Sequence, residues 1–210
     1  MSEESKEKYD TDVERGSGAT SVKEEEKLTI DKYGFEPLLF DTLPSGIYRS
    51  EMPLSEYDID RGERILQAWI DVGIDFVVCL QESEEMERHT GICLPEMAYT
   101  DYSFASLWHP IPDHNAPTNS QRFIDDVIEV VGVLKSGKKI AVHCHAGIGR
   151  TGTFIAAMMI SQATSVGDAI DAIRVVSPRL RFAVNRVQSA YLEEIGETLR
   201  IAGLNSERRK

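Results

Sequence analysis

The apolar positions of the chain follow two periodicities, which predict helices that alternate with short buried strands. Apolar residues recur at helical spacing in 60–72, 123–134 and 187–199, and each stretch presents one apolar stripe. The stretch 74–80, which is apolar apart from Asp75, and the apolar run 140–142 predict buried parallel strands. This alternation favours an α/β fold: a central, mostly parallel sheet of about five strands flanked by helices on both sides.

Polar residues with short side chains predict where these helices begin. We expect Asp60 to cap the first helix, and Thr118, with Gln121 three residues later, to cap the second. A further helix begins at either Ser165 or Asp168. The acidic stretch 81–88 carries no clear apolar stripe and is interpreted as a solvated helix or loop.

The start of the chain differs in composition from the rest. Residues 1–30 include the acidic run 24–26 and the Gly-Ser-Gly stretch 16–18, and they contain few apolar residues. Such a segment cannot bury enough surface to offset the entropy of ordering it. We therefore interpret 1–30 as an acidic, disordered tail, with a regulatory or partner-binding arm as the alternative, and 31–210 as one domain.

Composition and charge narrow the class of protein. The chain has 210 residues, of which 41% are apolar, and this is enough for a substantial core. A net charge of -12 argues against nucleic acids and anionic membranes as general partners. Three cysteines do not make a disulfide framework, and neither a signal peptide nor a long apolar span is present. These features predict a reducing, cytoplasmic environment.

A Gly-rich turn at 143–153 links the strand at 140–142 to an apolar helical run and predicts a phosphate site. The backbone N–H groups of such a turn point inward at a helix N-terminus, where the dipole favours an anion. Arg150 adds a planar guanidinium that can grip two oxygens of a tetrahedral oxyanion. The amides expected to face the anion belong to His145, Ala146, Gly147, Ile148, Gly149 and Arg150.

Cys144, at the start of this turn, is the candidate nucleophile. The amides and the guanidinium that bind a dianion would also stabilise a thiolate, which is the reactive form of cysteine. The Thr151 hydroxyl can bond to that sulfur and help it leave a covalent intermediate, and His143 can brace the loop from behind. The alternative is a buried strand cysteine before an ordinary Gly-rich turn.

A second stretch, 111–118, predicts a general acid. Pro112 and Pro117 lie on either side of Asp113 and favour a stiff, exposed loop. An oxygen that leaves phosphorus needs a proton, and a carboxylic acid on a loop can deliver it. Asp113 fits this role, with Asp101 as the alternative acid, while His114 has no assigned role.

At these two stretches the chain resembles the protein-tyrosine-phosphatase superfamily, whose signature is His-Cys, five residues, Arg, then Ser or Thr. The match runs from His143 to Thr151. The second stretch is similar to the family's acid loop, Trp-Pro-Asp-His-Gly-x-Pro, with Ile111 in place of Trp and Asn115 in place of Gly. The resemblance implies a cysteine-based phosphatase fold and hydrolysis of phosphomonoesters through a phosphocysteine, without a metal or other cofactor.

The resemblance also suggests roles for residues outside the two motifs. Some members hold a second cysteine on the neighbouring strand that forms a disulfide with the nucleophile under oxidation. Carried onto this chain, that redox partner is Cys79, and the alternative is that Cys79 is simply a small buried apolar residue. Arg49 resembles a first-strand residue of several small phosphatases, but we interpret it as solvated charge.

The region before the last helix contains amides and arginines with two interpretations. In tyrosine phosphatases a glutamine of this region places the hydrolytic water, so Gln188 or Asn185 could do so here, and the alternative is an amide on the helix surface. Arg179 and Arg181 either supplement the positive field at the pocket mouth or are plain exposed charge.

The short domain favours a compact, dual-specificity-like enzyme that acts on phosphorylated proteins, on phosphotyrosine and also on phosphoserine or phosphothreonine. Phosphoinositide phosphatases often carry lysines within the turn, where this chain has His145 and Ile148, but phosphoinositide, inositol phosphate and RNA 5′ phosphate remain alternatives. A non-catalytic phosphoresidue-binding module is the alternative of another class. It would be expected to lack Cys144 or Asp113, and both are present. The sequence gives no expectation for the oligomeric state.

Overall fold

One five-stranded sheet forms the centre of the computed structural model, which describes residues 34–53, 58–91, 99, 102 and 104–208. The strands are β1 (Phe35–Leu38), β2 (Ile47–Ser50), β3 (Phe76–Cys79), β4 (Ala105–Trp108) and β5 (Ile140–His143). Their order is β1-β2-β5-β3-β4, with β1 antiparallel to β2 and the other pairs parallel. The predicted α/β fold is confirmed, and the strand that leads into the Gly-rich turn lies at its centre.

Helices connect the parallel strands and cover both faces of the sheet. The described helices are α1 (Ile59–Val72), α2 (Ser83–Thr90), α3 (Ser120–Lys135), α4 (Gly149–Ser161), α5 (Val166–Val176) and α6 (Arg186–Glu207), and a 3₁₀ turn spans Pro178–Leu180. The predicted tail, 1–30, lies outside the described residues.

Successive strand residues face two separate apolar clusters, as the period of two requires. Val78 and Val142 face the larger cluster, which includes the residues of α3 to α6 that pack on that side. Val77 and Ala141 face the smaller cluster, which is built around Trp69 of α1. Helix α4 is buried along nearly its whole length and packs against α3, α5 and α6. The Gly-rich turn therefore rests on a rigid helix.

Two predicted helix caps are wrong by one or two residues. The cap of α1 is Asp58 rather than Asp60, because the Asp58 carboxylate accepts the backbone N–H three residues later at 3.0 Å. The cap of α3 is Asn119 rather than Thr118, because the Asn119 side chain accepts the backbone N–H of Arg122 at 3.0 Å. Of the two alternatives for α5, Ser165 is the cap. Adjacent residues that can all cap a helix look alike in sequence, and only the backbone geometry selects one.

Helices α4 and α6 approach each other so closely at Gly203 that a side chain has no room there. A Cβ atom at Gly203 would lie 1.8 Å from the carbonyl oxygen of Ser161, the last residue of α4. A backbone oxygen cannot move aside as the end of a flexible side chain can. The contact therefore fixes the spacing of the two helices that support the turn.

We expect Gly203→Ala to lower the free energy of unfolding by on the order of 1–3 kcal/mol, because the two helices must separate. Gly132→Ala on α3 is the matched control: a Cβ there meets no atom within 4 Å. That substitution should raise stability by about 0.4–1 kcal/mol through a lower entropy of the unfolded chain. Urea denaturation measures both, and equal effects would contradict the close approach.

Candidate active site

The loop 144–148 joins β5 to α4, and its carbonyl groups face away from the pocket. Groups on or beside β2 hold these carbonyls. The Met52 N–H donates to the His145 carbonyl at 3.0 Å. The Arg49 guanidinium donates to the carbonyls of Ala146 and Gly147 at 3.4 and 3.2 Å. In a trans peptide the N–H points opposite to the C=O. The N–H groups of 146–148 therefore face the other side, where the pocket lies.

Gly147 allows this loop to pass against β2. Its φ of +65° lies in the left-handed region, and a Cβ there would lie 2.2 Å from the Ser50 carbonyl oxygen. Helix α4 begins at Gly149, and its N-cap residue, Ile148, has no side chain that can accept from the first turn. The amides of that turn are left to a ligand, and an anion suits them best.

Arg49 is fully buried, so its interpretation as solvated charge is wrong. Its Nε atom donates to Glu36 Oε1 at 2.5 Å, and the Ser177 hydroxyl donates to the same carboxylate oxygen at 2.6 Å. A buried guanidinium requires a charge partner and further acceptors. Here Glu36 supplies the charge and the loop carbonyls supply the acceptors, so Arg49 fixes the loop from outside.

Cys144 lies at the floor of a pocket of about 280 Å³ that Asp113, Arg150, Asn185 and Gln188 also line. The Cys144 side chain is only 3% exposed, so its sulfur is reached through this pocket. The Thr151 hydroxyl donates to Cys144 Sγ at 3.4 Å. The structure thus brings the predicted nucleophile, acid, guanidinium and hydroxyl to one site.

His143 braces the start of the loop from the opposite side of the sheet. Burial, which disfavours the imidazolium, lowers the pKa of His143 to about 4. The neutral ring then donates through Nδ1 to the Cys144 carbonyl at 3.2 Å and accepts through Nε2 from the Tyr99 hydroxyl at 2.6 Å. Both ring nitrogens are satisfied, and the backbone of the nucleophile is fixed.

Glu85 holds the guanidinium of Arg150 by two parallel hydrogen bonds of 2.5 and 2.8 Å. Arg150 also donates to the Ile111 carbonyl at 3.2 Å, and its side chain is 2% exposed. Burial alone would lower the pKa of Arg150 and raise that of Glu85. The hydrogen bonds and opposite charges outweigh burial, so the pKa of Arg150 lies above its usual value and that of Glu85 below.

Nothing in the sequence around Glu85 marks it as a residue of the site. It lies on α2, within the stretch 81–88, and it turns inward to Arg150 instead of facing solvent. Several acidic residues stand side by side there, and no local pattern marks one of them as the partner of a buried cation. Only the proximity of α2 to the loop after β5 identifies it.

Asp113 lies at the mouth of the pocket. Its Oδ1 atom is 3.2 Å from Arg150 Nη2, and its side chain is 60% exposed. The carboxyl group is therefore within reach of an oxygen that leaves a phosphorus held by Arg150, and it also meets water. Asp101, the alternative acid, lies outside the described residues.

Asn185 and Gln188 fasten the acid loop to the start of α6. The Asn185 amide donates to the His114 carbonyl at 2.8 Å, and the Gln188 amide donates to the Asn115 carbonyl at 3.2 Å. The two residues also cap α6 reciprocally. Gln188 is 1% exposed, which excludes the interpretation as a surface amide. The Asn-x-x-Gln spacing is a capping box and could have been recognised in the sequence.

Cys79 and Arg179 have surroundings different from those of the pocket residues. Cys79 is fully buried, its Sγ lies 3.6 Å from Met86 Sδ, and burial raises the pKa of its thiol to about 12. Cys79 and Cys144 are both free thiols, and their pairing under oxidation stays a prediction.

Arg179 forms an ion pair with Glu51 at 2.9 Å.

The described part of the chain contains no cluster of three or more His, Cys, Asp or Glu residues that could hold a metal ion. Among the described helices, none combines the length and the apolar character needed to cross a membrane.

Residues 58–164 match the family model described as "Polymorphic toxin system, DSP-PTPase phosphatase". A curated relative, protein tyrosine phosphatase domain-containing protein 1 of Danio rerio, is 33% identical over 95 residues, which are 45% of this chain and 11% of that protein. The chain spans less than half of the length of the curated relatives that it matches.

Solved structures of phosphatases share the fold. Kinase associated phosphatase with a serine in place of its catalytic cysteine superposes with a TM-score of 0.68 at 18% identity, over 79% of this chain and 96% of that one. PTPMT1 in complex with PI(5)P gives a TM-score of 0.56 at 18% identity, over 84% and 98% of the two chains.

Because the imidazole of His143 is buried and neutral, we expect the free energy of unfolding to fall in mild acid. The pKa of His143 is about 4 in the folded state and 6.5 in its ordinary state, so between these values the unfolded chain binds a proton that the folded chain does not. Stability should fall as the pH falls through this window, by up to about 3 kcal/mol from this residue.

Chemical denaturation at several pH values, with His143→Asn as the comparison, measures this contribution. The variant lacks the titrating ring and should lose less stability between pH 6.5 and 4, while titrating carboxylates affect both proteins alike. NMR titration of the wild-type imidazole gives an independent value. Parallel pH profiles of the two proteins, or a charged His143 at pH 5, would contradict the neutral brace.

Proposed function

The chain belongs to the DSP-PTPase phosphatases, cysteine-based enzymes of the protein-tyrosine-phosphatase superfamily, and from that premise we propose that it hydrolyses phosphomonoesters of proteins. The substrates are phosphotyrosine and also phosphoserine or phosphothreonine residues, and the reaction passes through a phosphocysteine. One observation carries the proposal: the buried Cys144 lies in a single pocket with inward-facing amides, Arg150 and Asp113.

In the first step the Cys144 thiolate attacks phosphorus in line with the leaving oxygen. The S–P bond forms and the P–O bond breaks, and protonated Asp113 gives its proton to the departing phenolate or alkoxide. The 3.2 Å contact between Asp113 and Arg150 supports this assignment, because it keeps the acid next to the group that holds the phosphoryl oxygens.

The transferred group carries its charge on three equatorial oxygens, and the loop is suited to stabilise it. The amides of 146–148 and the first turn of α4 meet those oxygens. Glu85 occupies the Nη1–Nη2 end of Arg150, and Nε makes no hydrogen bond within the described part of the chain. On the remaining Nε–Nη2 edge, Nη2 lies 3.2 Å from Asp113 Oδ1, and two phosphoryl oxygens take this edge in place of that carboxylate oxygen.

In the second step water attacks the phosphocysteine and the S–P bond breaks. Asp113, now a carboxylate, accepts the proton of the water, and phosphate leaves. The Thr151 hydroxyl, 3.4 Å from Cys144 Sγ, stabilises the departing thiolate. Asn185 and Gln188 act as positioning residues because they hold the backbone on either side of the acid loop's tip.

A protein substrate is favoured over a lipid by the residues of the loop and by the charge of the chain. The structural neighbour PTPMT1 binds PI(5)P, which makes a phosphoinositide the second candidate. The loop carries His145 and Ile148 at its variable positions, with no lysine among its residues, and the chain has a net charge of -12. Such a charge disfavours approach to an anionic membrane surface.

Replacement of the nucleophile and of the acid should have different kinetic effects. We expect Cys144→Ser to abolish turnover, because a serine hydroxyl in this setting has no base to activate it. Asp113→Ala should slow turnover by roughly 10²–10⁴-fold. The loss should be larger for a phosphoseryl peptide than for a phosphotyrosyl peptide, because an alkoxide is a poorer leaving group than a phenolate.

Steady-state release of phosphate from the two peptides measures these effects. Asp125→Ala, an exposed aspartate on α3, is the matched control and should behave as wild type. Wild-type turnover by Cys144→Ser would exclude the proposed nucleophile. A loss in Asp113→Ala that does not depend on the leaving group would exclude Asp113 as the acid.

Glu85→Gln should lower kcat/KM by roughly 10-fold or more, because Arg150 loses its charged partner and is no longer held in one orientation. Glu84→Gln, its exposed neighbour on α2, removes the same charge without that contact and is the control. Inhibition by orthovanadate, which binds as a tetrahedral anion, should weaken in parallel for Glu85→Gln only. Equal kinetics of the two variants would show that the ion pair does not support the site.

A further inference from the structure

The acid loop runs from β4 to α3, and side chains from its two ends meet at its base. The first end is His109, the residue that follows β4. The second end is the beginning of α3, which carries Arg122 and Asp126. We name these three residues the loop clasp. The segment between the two ends, 110–119, contains Asp113. Contacts within the clasp therefore close the base of the loop that carries the acid.

Hydrogen bonds and opposite charges join the two ends. His109 Nδ1 lies 2.5 Å from Asp126 Oδ2. An ionised carboxylate only accepts hydrogen bonds, so the proton of this bond lies on Nδ1. Arg122 donates to the Trp108 carbonyl at 2.6 Å, and its Nε atom lies 3.6 Å from the same oxygen of Asp126. Because residues 108 and 109 are adjacent in the chain, the carbonyl, the guanidinium, the carboxylate and the imidazole form a closed ring of contacts.

The imidazole is the buried member of the clasp. His109 is 2% exposed, and its ring meets that of Phe123 edge to face, with 5.2 Å between the ring centres. Phe123 packs in turn against Phe154 of α4 and Tyr191 of α6. A buried polar ring needs a hydrogen-bond partner, and Asp126 supplies it. The clasp therefore connects the base of the acid loop to the helix on which the Gly-rich turn rests.

His109 is placed to act through the backbone and not on a substrate. It is not among the described residues that line the catalytic pocket. Its N–H donates to the Cys79 carbonyl at 3.0 Å, and the Ile111 N–H donates to the Leu80 carbonyl at 3.1 Å. These bonds extend the pairing of β4 with β3 as far as Ile111, two residues before the acid. The clasp holds α3 against this extension, so a shift at its contacts reaches Asp113 along four residues of chain.

We propose that the three residues of the loop clasp are positioning residues of the general acid: they hold the two ends of the loop together, so that the carboxyl group of Asp113 meets the leaving oxygen. The inference rests on the proposed function and assigns further residues to its first step. The Asp113 side chain is 60% exposed, so few contacts of its own hold it in place. A catalytic group displaced by about 1 Å can lose on the order of 10²-fold in rate. Fixed ends of the loop keep an exposed acid within that limit.

The test removes the hydrogen bond of the clasp and keeps its volume. His109→Phe retains a ring but has no donor for Asp126, and we expect it to lower kcat/KM for a phosphotyrosyl peptide by roughly 10-fold or more. His109→Asn places an amide N–H close to the position of Nδ1 and should stay within about threefold of wild type. Gln121→Ala is the matched control: it removes an exposed hydrogen bond of 3.0 Å to Asp125 on the same helix and should behave as wild type.

The leaving group separates a positioning role from a loss of structure. The phenol released from para-nitrophenyl phosphate is a much stronger acid than tyrosine, so its oxygen leaves with little need of a proton. His109→Phe should therefore lower kcat/KM for this substrate by less than about threefold. An unfolded fraction of the protein would lower both values by the same factor. Thermal denaturation checks that each variant is folded at the assay temperature.

Arg122→Met tests the same clasp from its exposed side. The Arg122 side chain is 52% exposed, so its replacement leaves the packing of the core unchanged. This variant loses the bond to the Trp108 carbonyl and should show the same dependence on the leaving group, with a smaller loss than His109→Phe. It keeps the inference testable if His109→Phe does not fold.

A double variant shows whether the clasp acts through the acid. In His109→Phe/Asp113→Ala no carboxyl group remains to be positioned. Its kcat/KM for the phosphotyrosyl peptide should therefore match that of Asp113→Ala within about twofold, although His109→Phe alone is impaired.

Three outcomes would overturn the inference: wild-type kinetics of His109→Phe and Arg122→Met, equal losses on the two substrates in folded variants, or a full additional loss when Asp113 is already replaced. The proposed function fails in a different way. If wild type releases phosphate from neither the peptide nor para-nitrophenyl phosphate, the phosphatase assignment itself is wrong.

Discussion

The site depends on three successive backbone carbonyl groups of the loop, which accept hydrogen bonds on the side away from the pocket. The carbonyls of 145–147 are held by Met52 and Arg49, so the amides that follow them must face the pocket. Arg49 reaches them because β2 lies next to β5, and it tolerates full burial because Glu36 of β1 neutralises it. The loop amides can therefore face an anion only because β1, β2 and β5 are neighbours in the sheet. Gly147 completes the arrangement, since any larger residue would push the loop away from Ser50.

Two buried arginines, each paired with one glutamate, have different roles in the site. Arg49 with Glu36 orients the backbone from outside the loop, and Arg150 with Glu85 orients a guanidinium toward the pocket. Glu36 comes from the strand that precedes β2 in the chain, whereas Glu85 comes from α2, which is far from Arg150 in sequence and is brought close to it by the fold. Glu85 neutralises one end of Arg150 and fixes its orientation, while the N–H groups of the loop supply partial positive charge that does not change with pH.

The sequence predicted the parts of the site that are local in the chain and missed those that depend on tertiary contacts. Cys144, Arg150 and Thr151 belong to one turn, and their spacing alone indicates phosphate chemistry; the sheet and most helices followed from periodicity. Arg49 and Glu85 were missed because a single charged residue in a strand or in an acidic run looks the same whether it faces solvent or a buried partner. The helix caps Asp58 and Asn119 were missed by one or two positions, because their neighbours cap equally well by composition.

The contacts of the acid loop bear on how Asp113 moves. Before it, Ile111 is fully buried, its N–H donates to the Leu80 carbonyl, and its own carbonyl accepts from Arg150. After it, Asn185 and Gln188 hold the next two carbonyls. The backbone is thus fastened on both sides, while the Asp113 side chain is largely exposed. In the proposed mechanism, rotation of this exposed side chain turns the carboxyl group from Arg150 toward the leaving oxygen while the backbone on either side stays fastened. A buried Ile111 in place of the family's tryptophan is consistent with a loop that is anchored from the start.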